Sequence, residues 1–171
     1  MAMTAAIKRL RALAPSREQL EASPGLRWLA PFLANPKLWQ WSRRGVAAGL
    51  AIGLFIGLLV PAAQMPLAAV LAVLLRVNLP VALAGTLVTN PVTFAPIYFA
   101  AYLLGAWATG VSAPFEASFG DPAQIWGNIG TLGVPLLAGL GIAATVTALA
   151  AYLIVWQAWA WRVASKRRAR R

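Results

Sequence analysis

Polar residues interrupt an apolar stretch of the chain, and five of their side chains are the ones best placed to do chemistry. Residues 65–94 are otherwise rich in Leu, Val and Ala, yet they include Arg76, Asn78, Thr89, Asn90 and Thr93. In lipid, an unpaired polar group costs several kcal/mol, so such residues persist only where they are buried in protein or line a wet cavity. We therefore predict an intramembrane polar site built from these five residues.

Arg76 supplies the positive charge of this predicted site. The apolar segments around it contain no acidic residue to pair with it. Its partners must then be backbone carbonyl groups, an anionic ligand or lipid, or water at the membrane interface. Two interpretations stay open. Arg76 either binds an anionic group inside the fold, or it ends a half-helix and extends to the lipid headgroups.

Asn78 and Asn90 each precede a segment that begins with a proline one or two residues later. An asparagine in this position caps the following helix by accepting a hydrogen bond from its first turn. Two helix N-termini inside the fold would favour a phosphate or carboxylate. The alternative is ordinary capping at loops, with Thr89 and Thr93 satisfying backbone groups that the proline leaves unpaired.

The sequence has little that is suited to catalysis. It contains no cysteine and no histidine, and Glu116 and Asp121 are the only acids between residues 45 and 161. A base, a nucleophile or a set of metal ligands is therefore missing from the apolar region. We expect a protein that is not an enzyme, with no catalytic residue, no metal site and no cofactor.

A stripe of small residues marks the first apolar segment. Gly45, Gly49, Gly53 and Gly57 recur at every fourth position. This spacing lets two helix backbones approach closely. It predicts tight helix packing, either with another helix of the same chain or with a second copy in a homo-oligomer.

Composition predicts the fold class. Sixty per cent of the residues are hydrophobic and 11% are charged, against about 25% charged in soluble domains. We therefore expect an all-α integral membrane protein with about four transmembrane segments, the second broken into half-helices.

The chain divides into three predicted parts. Residues 1–44 form a basic, amphipathic cytoplasmic or interfacial segment of short helices, with one helix starting at Pro36 and running into the membrane. The membrane domain covers residues 45–161, and a basic tail covers residues 162–171. The predicted spans are 45–60, 65–89 as the broken span, 92–110 and 132–156.

The net charge of +11 is segregated along the chain. Eight of the fifteen lysines and arginines precede residue 45, and six follow Trp161. Basic flanks around apolar spans are typical of cytoplasmic ends, so we expect a bacterial inner-membrane protein with both termini in the cytoplasm. The partners we expect are the bilayer and its anionic lipid headgroups, and not nucleic acid.

The segment 111–130 contains Glu116 and Asp121 and no basic residue. We therefore expect it to lie outside the cytoplasm. An odd number of crossings must then precede it. In one arrangement residues 65–89 cross the membrane once as a broken helix. In the other, Arg76 returns to the cytoplasmic interface and residues 80–89 re-enter as a half-helix.

The order of motifs over residues 35–110 resembles the bacterial membrane family known as domain of unknown function 2062. The shared features are an aromatic and arginine pair, a glycine-rich helix, a proline-bounded turn, an Arg-x-Asn-Leu-Pro motif and an Asn-Pro-x-Thr motif. They correspond here to Leu38-Trp39 with Arg43-Arg44, Gly49 to Gly57, Pro61 to Pro66 with Gln64, Arg76 to Pro80, and Asn90 to Thr93 with Tyr98. The resemblance implies an inner-membrane protein and adds no mechanism.

Two functions are compatible with these observations. The first is a small transporter or a lipid- and anion-handling protein that uses the polar site around Arg76, Asn78 and Asn90. The second is a non-catalytic membrane scaffold or assembly factor that acts through the packing of its glycine stripe.

Overall fold

Helices of very different lengths make up the part of the chain that the structure describes. The computed structural model describes residues 30–33, 35–60, 63–111 and 129–168. In chain order these form α1 (Ala30–Leu33), a 3-10 turn (Pro36–Trp39), α2 (Arg43–Leu59), α3 (Gln64–Leu74), α4 (Leu79–Thr86), α5 (Phe94–Thr109) and α6 (Ile129–Arg168). These ranges contain no strand, so the prediction of an all-helical chain is confirmed for them.

The glycines of α2 allow α4 to lie directly against it. A methyl group added at Gly49 would lie 2.6 Å from the carbonyl oxygen of Asn78, and one added at Gly53 would overlap the carbonyl of Ala82. The contacts advance together along both helices, from Gly45 and Gly49 beside Asn78, through Gly53 beside Ala82, to Gly57 beside Thr86. The helices α2 and α4 therefore run parallel.

Helix α3 runs in the opposite direction to both. Its first residue, Gln64, lies beside Thr89 at the Gly57 end of α2, with the Gln64 Nε2 donating to the Thr89 carbonyl at 3.5 Å. After α3, the Asn78 amide donates to the Gly45 carbonyl at 3.2 Å, at the other end of α2. The helices α3 and α4 thus form a hairpin. A single broken crossing over residues 65–89 would require them to run in the same direction, which they do not.

The long helix α6 packs against α2 and α5, antiparallel to each. Arg43 contacts Trp156 at one end of α2, and Leu59 at the other end packs on the cluster that contains Leu140. Along α5 the contact is closest where two glycines meet. A methyl group at Gly105 would overlap the carbonyl of Pro135, and one at Gly139 would overlap that of Ala101.

The helices α4 and α5 run in the same direction, because α4 is parallel to α2 while α2 and α5 are both antiparallel to α6. Residues 87–93 join them as a turn. Helix α4 has 8 residues and α5 has 16. Their combined length is about 36 Å at ~1.5 Å per residue. Helices α4 and α5 therefore follow one another in the same direction along the bundle, as one path broken by a turn. Helices α3 and α4 do not, because they run in opposite directions.

Two helix boundaries differ from expectation. The helix expected to start at Pro36 ends as a 3-10 turn at Trp39, and α2 begins only at Arg43, where the Ser42 hydroxyl accepts a hydrogen bond from the Gly45 amide at 3.0 Å. The last helix continues to Arg168, through most of the segment expected to be a tail. The helices predicted before residue 30 lie outside the described residues, as do Pro61, Glu116 and Asp121.

One helix in the described ranges is long and apolar enough to cross a membrane. It covers Gly133–Ser165, and only 22% of its most apolar stretch is buried. The helices Gln64–Leu74 and Phe94–Thr109 are apolar but shorter. Helix α2 has 17 residues, about 25 Å, which is less than the ~30 Å hydrocarbon core.

Candidate anion-binding site

A polar cavity of about 310 Å³ lies where the chain enters α2 and leaves α3. The 3-10 turn and the break after it form one wall, and the end of α3 forms the other. Its lining residues are Lys37, Gln40, Ser42, Arg44, Gly45, Leu75, Arg76 and Val77. We refer to this cavity below as the basic pocket.

Three cationic side chains surround the basic pocket. Lys37, Arg44 and Arg76 are all exposed. The described ranges contain no aspartate or glutamate, so no carboxylate in that part of the chain offsets these charges. The pocket is therefore an electropositive site whose chemistry suits an anion.

The backbone of Arg76 adopts an unusual conformation. It lies in the left-handed region with φ 52°, and it ends α3 in a Schellman motif. In this motif the Val77 amide donates to the Ala72 carbonyl at 3.0 Å, and the Arg76 amide donates to the Val73 carbonyl at 3.2 Å. Glycine is the residue that suits this position, because a side chain there costs roughly 1–2 kcal/mol. An arginine at such a position suggests that its side chain has a function.

The first turn of α2 adds to the positive character of the pocket. Ser42, Arg44 and Gly45 all line it. The amides of a first helical turn have no partner within the helix, and together they carry a partial positive charge. The Ser42 hydroxyl satisfies only the Gly45 amide among them.

Asn78 holds the walls of the pocket together. Its side chain is fully buried. The Nδ2 group donates to the Gln40 carbonyl at 3.0 Å, and Oδ1 accepts from the Val81 amide at 3.0 Å, which caps α4. Asn78 therefore positions the pocket without lining it.

The other predicted site residues lie at the opposite end of α2. The Thr89 hydroxyl donates to the Gly57 carbonyl at 2.8 Å and lies 2.8 Å from the Gln64 side-chain oxygen. The normal helical donor to Gly57 would be the residue four positions on, which is Pro61 and has no amide hydrogen. Thr89 thus satisfies a carbonyl that the α2 sequence leaves unpaired.

Asn90 and Thr93 bond to each other within the turn before α5, whose N-cap Thr93 makes no side-chain capping bond, so the prediction that Asn90 caps this helix is wrong. Asn90 Oδ1 accepts from the Thr93 amide at 3.1 Å, and Thr93 Oγ1 accepts from the Asn90 amide at 3.0 Å. Thr93 Oγ1 also donates to the Val88 carbonyl at 2.7 Å. The polar groups of both side chains are therefore used in hydrogen bonds to the nearby backbone.

The five predicted polar residues are therefore not brought together. Arg76 and Asn78 lie beside Gly45, whereas Thr89 lies beside Gly57. Twelve residues of helix separate these two glycines, about 18 Å. The structure instead brings Arg76 to four residues outside the predicted site: Lys37, Gln40, Ser42 and Arg44.

One sequence signal for these additional residues exists. Ser42 immediately precedes Arg43 and Arg44, and serine is a favoured N-cap. A helix start at that point would have indicated a break after Trp39, and so a polar wall formed by residues 40–42. Residues 40–42 are more than 30 positions from Arg76 in the sequence, so the sequence does not indicate that they lie close together.

Comparison with known families agrees with the motif resemblance. Residues 26–168 match the family described as "Uncharacterized protein conserved in bacteria (DUF2062)". The chain belongs to this family. The DUF2062 match extends beyond the resembling residues 35–110 and includes all of α6. No curated protein matches the chain, and no solved structure matches it either.

Proposed function

We propose that this DUF2062 protein is a multi-pass inner-membrane protein, not an enzyme, that binds an anionic group in the basic pocket. This is the function of a small transporter or a lipid- and anion-handling protein. The observation that carries the proposal is the meeting of Lys37, Arg44 and Arg76 around one cavity, with Arg76 held in a conformation that suits glycine.

The surface of α6 supports the membrane assignment. Large apolar side chains such as Leu137, Val146, Leu153 and Ile154 are each about 60% exposed or more. A core helix of a soluble protein would bury such residues, whereas lipid is a favourable environment for them. The 33 residues of Gly133–Ser165 make about 50 Å of helix, longer than the ~30 Å hydrocarbon core.

Helix directions favour the arrangement in which Arg76 returns to the cytoplasmic interface. Arg76 lies at the same end of the bundle as Arg44, and Arg43 at that end contacts Trp156. Arginines and tryptophans at one level are typical of a cytoplasmic membrane interface. In this arrangement α2 and α3 enter and leave from the cytoplasmic side. The helices α4 and α5 then cross as one broken path, and α6 returns.

The scaffold alternative has less support. It requires the glycine stripe to be available to partner helices. All four glycines are buried in the same chain: Gly49, Gly53 and Gly57 lie against α4, and Gly45 lies beside Ser42 and Asn78. This packing leaves the stripe with a structural role inside one copy.

An anion-dependent stability assay tests the proposal. The full chain, purified in neutral detergent, is heated with and without inorganic phosphate and with and without phosphatidylglycerol. We expect the anion to raise Tm, because a ligand that binds only the folded state stabilises it. Arg76→Gly should reduce the rise without lowering the basal Tm, because glycine suits the left-handed position.

Arg162→Gln is the matched control, since Arg162 is a cation on the same side but does not line the pocket. It should retain the full anion response. An equal response from wild type, Arg76→Gly and Arg162→Gln would refute the pocket as the anion site. Loss of basal stability in Arg76→Gly would instead mean that Arg76 is structural.

A further inference from the structure

We propose that the basic pocket binds the terminal phosphate of a membrane lipid that carries more than one negative charge there, a phosphomonoester or a diphosphate. This inference rests on the proposed anion-binding function and names its ligand class. The lipid would be drawn from the leaflet on the Arg44 side of the protein.

The number of cations favours a doubly charged headgroup. Lys37, Arg44 and Arg76 supply three positive charges, and the first turn of α2 adds a partial one. A phosphodiester lipid carries one negative charge, whereas a phosphomonoester carries about 1.5–2 at pH 7. No acidic side chain in the described ranges reduces the positive charge, so a dianion is the better match.

The pocket is sized for a headgroup and not for a whole lipid. Its volume of about 310 Å³ is at the lower limit of small-molecule sites, about 300–1,000 Å³. Hydrocarbon chains attached to a bound phosphate must therefore lie outside it. A soluble anion would fill the cavity equally well, so the surface beside the cavity distinguishes the two sources.

That surface is apolar. Leu75 lines the pocket and is 61% exposed, and its neighbour Leu74 is 69% exposed. Leu67, seven residues before Leu74 and so on the same side of α3, is also exposed. An acyl or prenyl chain leaving the pocket can follow this stripe towards the other end of α3.

The level of the pocket in the bundle agrees with a lipid headgroup. At this end of α2, the Arg43 Nε donates to the Trp156 carbonyl at 2.9 Å, and the guanidinium carbon lies 3.8 Å from the centroid of the Trp156 ring. Tryptophan and arginine together mark the headgroup region. Because Arg43 is engaged with Trp156, it remains separate from the cations that surround the pocket.

The experiment compares defined lipids with a soluble anion, using the full chain in nanodiscs of neutral phosphatidylcholine. Phosphatidic acid, phosphatidylglycerol or inorganic phosphate is added, and the apparent Kd is obtained from the shift in Tm. Phosphatidic acid presents a phosphomonoester and phosphatidylglycerol a phosphodiester on similar chains. The variants are Arg76→Gly, Leu75→Ser and the control Arg162→Gln.

We expect phosphatidic acid to bind about tenfold or more tightly than phosphatidylglycerol, the size of effect that one additional charge-assisted hydrogen bond provides. Arg76→Gly should weaken phosphatidic acid by a similar factor, while Arg162→Gln should leave it unchanged. Leu75→Ser should weaken phosphatidic acid and leave inorganic phosphate unaffected.

Equal affinity for the two lipids would overturn the dianion part of the inference. Inorganic phosphate binding as tightly as phosphatidic acid, with no effect of Leu75→Ser, would identify a soluble anion and keep the proposed function. If no anion responds to Arg76→Gly, the proposed function fails together with this inference.

Discussion

The side-chain amide of Asn78 donates to the backbone carbonyl of Gln40 at 3.0 Å, joining residues that are 38 positions apart in the chain. The same side chain caps α4 through the Val81 amide. Its backbone amide donates to Gly45. One buried residue thus ties the break before α2 to the α3–α4 connection, and so closes the basic pocket.

Asn78→Ala should destabilise the protein by about 1–3.5 kcal/mol. The change removes an N-cap, about 0.5–2 kcal/mol, and the hydrogen bond to the Gln40 carbonyl, about 0.5–1.5 kcal/mol because Gln40 is exposed. Asn78→Ser should lose less, because serine still caps α4 but is too short to reach Gln40. Tryptophan fluorescence during thermal unfolding in detergent measures both.

Asn78→Ser also separates capping from positioning. If it keeps near-native stability but weakens the anion-induced shift in Tm, the bond to Gln40 serves the pocket. A variant Asn78→Ala as stable as the wild type would contradict the importance of this bond.

Thr89→Val should lower the free energy of unfolding by about 1–3 kcal/mol. Valine has almost the same shape as threonine but cannot donate to the Gly57 carbonyl, and the residue four positions on, Pro61, has no amide hydrogen to replace that bond. The measurement is thermal unfolding in detergent. Thr145→Val is the matched control, since its hydroxyl only donates within α6 to Gly141 on an exposed face, and it should be close to neutral.

Gly53→Ala should destabilise the protein, because its methyl group would overlap the Ala82 carbonyl and force α2 and α4 apart. Overpacking of this kind typically costs about 1–3 kcal/mol. Gly141→Ala, in α6, is the control: nothing lies within 4 Å of the added methyl group, and alanine favours the helix by up to about 1 kcal/mol. Opposite signs for the two changes in Tm are expected, and a neutral Gly53→Ala would refute close packing at that glycine.

Local structure was accessible from the sequence at one of the two predicted asparagine caps. Asn78 followed by Pro80 predicts the start of α4, and the observed cap agrees, whereas α5 begins only at Phe94 and is not capped by Asn90. Helix direction was not accessible in the same way. The two arrangements of residues 65–89 have the same charged flanks and the same parity, so only tertiary contacts such as Gln64 with Thr89 distinguish them.

The site was predictable only in part. Arg76 is identifiable because it is the one cation in the apolar region. Its neighbours Lys37 and Arg44 belong to a basic segment that looks like an ordinary membrane flank, and the bond from Asn78 to Gln40 brings that segment to Arg76. Asn90 and Thr93 have the same residue types as a ligand site, but their hydrogen bonds are used within the turn before α5.

Cysteine labelling should place Leu75 on the same side of the membrane as the end of α6. The native chain has no cysteine, so single substitutions at the exposed positions Leu75, Val111 and Val163 report unambiguously. With an impermeant maleimide on intact spheroplasts, we expect Val111→Cys to react. Leu75→Cys and Val163→Cys should react only after permeabilisation. If residues 65–89 crossed once as a broken helix, Leu75→Cys would lie within the bilayer and be protected on both sides. Reaction of Leu75→Cys from outside would contradict the proposed position of the basic pocket at the cytoplasmic interface.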